Sequence, residues 1–67
     1  MSLETLNDWE AFIRDNDELL QRALGRGEML ELPIVPEPEL HSEVFRLFYD
    51  MHFIMAPDGL LIPFKSI

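Results

Sequence analysis

The stretch Leu40–Met55, LHSEVFRLFYDMHFIM, decides how this chain is read, because no other segment is apolar around so much of its circumference. From Val44 to Met55 only Arg46, Asp50 and His52 are polar. On a helix, Glu39, Glu43, Arg46 and Asp50 fall at i, i+4, i+7 and i+11 and make one narrow polar stripe, while Leu40, Val44, Phe45, Leu47, Phe48, Tyr49 and Met51 fill the rest. A helix with so little polar surface needs neighbours on several sides. The spacing predicts a central helix that starts near Pro38 and fades between Met51 and Met55, forming the spine of a small core or covered in part by another chain.

Downstream, His52-Phe53-Ile54-Met55-Ala56 reads as a last helical turn or as a strand, and the Pro57-Asp58-Gly59 that follows favours the strand. Proline presets a turn and glycine accepts a positive φ, so two apolar runs flanking these three residues signal a hairpin. In the second run Leu60, Ile62 and Phe64 fall on one face and Leu61, Pro63 and Lys65 on the other, and Pro63 points to an edge strand or a bulge.

Upstream, residues 36–39 (PEPE) form a stiff connector in which Pro38 suits a first helical turn and Glu37 and Glu39 suit the positive end of its dipole. Before it, residues 28–35 (EMLELPIV) alternate as a half-buried strand does, and Pro33 places that strand at an edge. Residues 2–24 read as a first helix, capped by Ser2, Thr5 or Asn7, with an apolar face of Leu6, Trp9, Ile13, Leu20, Ala23 and Leu24. Glu10 with Arg14 and Glu18 with Arg22 stand at i, i+4, and Gly25 suits the left-handed end of the helix. Asp15-Asn16-Asp17 is its weak point, and a kink or break there is the alternative to one continuous helix.

The order α-β-α-β-β predicts a single small α+β domain over residues 1–67, with two helices covering a sheet of two or three short strands. A helical hairpin with an extended C-terminal tail is the alternative. The expected core centres on Trp9, Ile13, Leu20, Leu47 and Met51, with Leu30, Leu32, Ile62 and Phe64 supplied by the strands.

Thirteen acids against five bases give a net charge of −8, which repels nucleic acid and anionic membrane and steers the chain towards basic partners. With no cysteine there is no disulfide framework and no thiolate chemistry, and the sequence fits a reducing, cytoplasmic setting. The acidic start MSLETLNDWE is unlike a secretory leader, and no apolar run approaches the roughly 18 residues of a membrane span.

No catalytic, metal or cofactor site is expected. His41 and His52 lie roughly 16 Å apart along a helix, too far to share an ion, and neither has a ligand four residues after it. The aliphatic hydroxyls are Ser2, Thr5, Ser42 and Ser66, and Ser42 points about 100° away from His41. Gly25, Gly27 and Gly59 make no phosphate-binding loop, and Asp15-Asn16-Asp17-Glu18 lacks the spacing of a calcium loop.

What remains is binding. Eleven leucines, five isoleucines, five phenylalanines and four methionines are more bulk than so short a chain hides, so an exposed apolar patch is expected, and with it a homodimer or a protein partner. Phe45, Phe48 and Tyr49 are the expected anchors. Glu4, Asp8, Asp15 and Glu18 fall on one stripe of the first helix, with axial spacings of about 6, 10 and 4–5 Å that resemble the charge repeat of a nucleic-acid backbone. Asp8, Asp15 and Glu18 are accordingly expected at the rim of the binding surface. The leading expectation is a non-enzymatic regulator or inhibitor that covers a surface, basic in character, on a larger protein. Phage and mobile-element products of this size and charge act in that way on host nucleic-acid-processing or defence machinery. A nucleic-acid-mimicking inhibitor and a homo-oligomeric assembly factor are the alternatives.

Overall fold

The computed structural model describes residues 3–64, and Ser2 and Lys65, which figured in the expectations, lie outside them. It contains α1 (Leu6–Asp15), α2 (Asp17–Arg26), β1 (Leu30–Glu31), α3 (His41–Asp50), β2 (Phe53–Met55) and β3 (Leu60–Pro63). The three strands form one antiparallel sheet in the order β1-β3-β2, so the fold is α+β, as the alternation of periods predicts, with three helices where two were expected.

The first helix begins later than residue 2. Thr5 caps it: its hydroxyl accepts from the Asp8 amide at 3.2 Å, while the Asp8 carboxylate accepts from the Thr5 and Glu4 amides, each at 3.0 Å. This is a reciprocal capping box, and it satisfies donors that a bare helix start leaves open. The single first helix is divided: the weak point at Asp15-Asn16-Asp17 is a break at Asn16, with φ −110° and ψ 17°. The Asn16 Nδ2 donates to the Phe12 carbonyl at 2.8 Å, competing with the helical pattern as short amide side chains do. Neither Glu10–Arg14 nor Glu18–Arg22 closes; among the described residues the ion pair present is Arg26–Glu28 at 3.6 Å. The helix also ends later than expected. Gly27, not Gly25, takes the left-handed conformation with φ 69°, and the Gly27 and Glu28 amides bond back to Leu24 and Ala23.

β1 covers two residues of the expected 28–35. Leu30 pairs with Leu61 and Glu31 with Leu60, and the Leu32 amide still donates to Gly59 at 2.8 Å. Pro33 then stops the ladder. The connector leads into a turn at residues 38–40, where the Leu40 amide donates to Glu37, and α3 starts at His41 rather than Pro38. Of residues 52–56, Phe53–Met55 form the strand β2, and His52, just past the Met51 cap of α3, takes φ 70° before it. The expected hairpin closes at Gly59, whose φ is 91° and whose amide donates to Ala56 at 2.9 Å.

β3 corrects two expectations. It is the central strand and not an edge, because Leu30 and Met55 both pair with Leu61. Pro63 is tolerated there by register. Phe64 donates to His52 on the β2 side at 2.9 Å, so by alternation the nitrogen of Pro63 faces the β1 side, beyond the point where β1 begins. Its inward face is also the opposite of the expected one: Leu61 is buried with Phe53 and Met55, while Ile62 is 37% exposed.

The core is Leu3, Trp9, Leu20, Ala23, Leu32, Val44, Phe48, Phe53, Met55 and Leu61. Trp9, Leu20 and Leu32 were legible, whereas Ile13, Leu30, Leu47 and Met51 only border it. Helix α3 is thus turned by about one residue from the expected face, presenting Val44 and Phe48 inward. Trp9 sits between Phe12 and Phe48 in edge-to-face contacts with centroids at 5.7 and 6.3 Å. Among the described residues its buried Nε1 finds no hydrogen-bond partner, a local cost on the order of 1–3 kcal/mol that the ring's burial outweighs.

Candidate protein-docking surface

Residues 41, 45 and 49 stand one above another on α3 because they are four apart. The structure stacks their rings: His41 on Phe45 with centroids at 6.4 Å and 24° between planes, and Phe45 on Tyr49 at 6.2 Å and 21°. Phe64, just past β3, continues the row, 5.0 Å from Tyr49, and His52 closes it edge-on to Phe64 at 5.6 Å. Five rings from three parts of the chain therefore form one row, and Tyr49 near its middle is 50% exposed. A shallow groove beside it is lined by Phe45, Arg46, Tyr49 and Asp50. The α3 acids Glu43 and Asp50 lie on the solvent side of the row, seven residues apart, with Arg46 the base between them.

Of the three expected anchors, Phe45 is half-buried in the row and Tyr49 is exposed, but Phe48 is 0% exposed. Phe48 wedges against Trp9 and presents nothing to a partner, a correction that follows from the rotation of α3. The sequence reading missed Phe64, His41 and His52 as members. The i, i+4, i+8 spacing of His41, Phe45 and Tyr49 was visible, but only the hairpin register brings Phe64 and His52 alongside.

The acidic stripe is divided. Glu4 precedes the helix, Asp8 is engaged in the cap, and Asp15 and Glu18 are exposed on either side of the Asn16 break. Asp8 is the group whose acidity the fold visibly alters. The amides of Thr5 and then Glu4, followed by the Thr5 hydroxyl, hold its carboxyl below the ordinary 3.8 by stabilising the anion.

The sheet's outer face adds a second apolar surface. Ile54 pairs with Ile62, and together with Leu60 they alternate away from the buried Phe53, Met55 and Leu61. An antiparallel sheet with one open face ordinarily carries polar residues there. Among the described residues no three of His, Cys, Asp and Glu gather as a metal site, and no helix is long and apolar enough to cross a membrane. Comparison with protein-family models, curated proteins and solved structures finds no match to this chain.

Proposed function

We propose that the protein is a non-enzymatic binding module that covers a surface on a larger protein, with the aromatic row as its centre and acids as its rim. The observation that carries this reading is Tyr49, half exposed yet held by the rings of Phe45 and Phe64. An aromatic side chain already fixed before contact loses little entropy on binding, and such residues dominate interface energetics. The net charge of −8 selects a partner of basic character and raises the encounter rate at low salt. A phage or mobile-element inhibitor of a host nucleic-acid-processing protein is one instance of this class, and it reaches its target through the apolar centre rather than through mimicry of a phosphate backbone.

Capture of a partner by the parent protein, with loss of capture by Tyr49→Ala at unchanged melting temperature, is the expected result. Equal capture by both would overturn the reading. Self-association is the second reading, favoured by Ile54, Leu60 and Ile62 on the open sheet face. Sedimentation at tens of micromolar decides it: a dimer that Ile62→Lys dissociates supports it, and a monomer removes it.

A further inference from the structure

The row on α3 leaves the opposite side of the sheet unexplained. There β1 is an edge strand, and its two neighbouring residues Leu30 and Leu32 turn their backbone groups to β3, through the Leu30–Leu61 pair and the Leu32 amide bond to Gly59. By alternation Glu31 turns its N–H and C=O to the open side. Between β1 and the helices lies a cleft of about 60 Å³ lined by Phe12, Leu19, Leu20, Leu30, Leu32 and Leu61, with Asn16 and Glu31 at its walls. Among the described residues, four of the six large apolar side chains left exposed, Leu19, Met29, Ile34 and Val35, belong to α2 or to the segment around β1. The stretch from Glu28 to Glu37 carries Glu28, Glu31 and Glu37 with no base, and Arg26 before it is already paired with Glu28.

An unpaired strand edge gives backbone hydrogen bonds to any extended chain, and a cleft beside it takes an alternate side chain of that chain. The surrounding carboxylates set the sign of the charge such a chain carries. We propose that the open edge of β1 is a second docking surface, which takes an extended basic segment of a partner protein as an added strand, one small aliphatic side chain entering the cleft beside Leu19. Pro33 has no amide to give and limits the added strand to a few residues. This surface is separate from the aromatic row, so either reading stands without the other. A second copy of the chain is disfavoured as occupant, since it brings a second Glu31, which has no ion pair among the described residues, to the same edge.

The test is a titration of the protein with a synthetic peptide alternating valine and lysine, followed residue by residue through backbone amide NMR shifts. Shifts centred on Leu19 and Leu30–Leu32, with Tyr49 unmoved, are expected. The same peptide N-methylated at alternate residues keeps its charge and apolar content but cannot pair with an edge, and its binding should fall at least about tenfold. Glu31→Pro removes a donor that the fold itself does not use, and Leu19→Asp puts a charge at the mouth of the cleft; each should weaken the unmethylated peptide by about tenfold or more. Equal binding of the methylated and unmethylated peptides, shifts centred on Tyr49, or no binding at all would overturn the proposal. So would a dimer of the chain that Glu31→Pro abolishes.

Discussion

Trp9 and Phe48 meet edge to face with their planes at 81°, and both are 0% exposed, so the contact that joins α1 to α3 is also the centre of the core. Phe48→Ala should therefore cost about 3–5 kcal/mol, a large share of the stability of so small a domain. Leu47→Ala, at the border of the core, should cost less. Urea denaturation of the two variants ranks them, and a larger loss for Leu47 would mean that α3 is turned to the other face.

The capping box predicts an acid dependence. The Asp8 carboxyl titrates below its ordinary 3.8 in the folded state, so its contribution is fully present above that value and is lost as pH falls through the lower folded value. Asp8→Asn should be less stable than the parent at neutral pH, and the gap should close in acid. Thermal melts between neutrality and about pH 2 read the difference directly. A gap independent of pH would mean that the carboxylate's charge contributes nothing to the cap. Thr5→Ala removes the other half of the box and should cost about 1 kcal/mol.

Gly25 and Gly27 should respond oppositely to alanine. Gly25 lies inside α2, and a Cβ there meets nothing within 4 Å, so Gly25→Ala should stabilise by about 0.4–1 kcal/mol. Gly27 ends the helix with φ 69°, where alanine is strained, and Gly27→Ala should destabilise by about 1 kcal/mol. Melting temperatures of the pair locate the end of the helix; the reverse order would restore Gly25 as its terminator.

Kinetics should separate the centre of the proposed surface from its rim. Tyr49→Ala should raise the dissociation rate of a captured partner by about tenfold or more and leave association nearly unchanged. Asp15→Lys with Glu18→Lys should slow association and flatten its salt dependence without altering the melt, since both groups are exposed. Asp8 is left out of that variant because reversing it would also damage the helix cap. A double variant that associates at the parental rate at every salt concentration would reduce these acids to a solubility role.

The elements were readable where one residue type has one physical meaning. Pro57-Asp58-Gly59 fixes a turn, and Asp15-Asn16-Asp17 interrupts a helix. Faces were harder to read. Leu60 and Ile62 differ little in polarity from Leu61 and Pro63, so alternation defined two faces of β3 without saying which turns inward. Helix α3 has the same ambiguity, since Phe48 and Leu47 are equally apolar and nothing local ranks them. The packing partner decides, and for Phe48 that partner is Trp9, on another helix. The aromatic row was half legible for the same reason: the rings on α3 follow from spacing, but Phe64 and His52 join it through the β2–β3 register.

The position of β3 between its two neighbours governs how the molecule is born. During synthesis β1, α3 and β2 are all made before β3, and β1 and β2 have no ladder with each other. Leu30 must wait for Leu61, and Phe53 and Met55 stay without their sheet until the same few residues arrive. Both ladders of the sheet that covers one side of the core need β3, so neither can close until those residues are available. A stalled chain ending at that turn would carry both outer strands with their backbones unmatched, a species prone to aggregate, whereas a few residues more complete both pairings together.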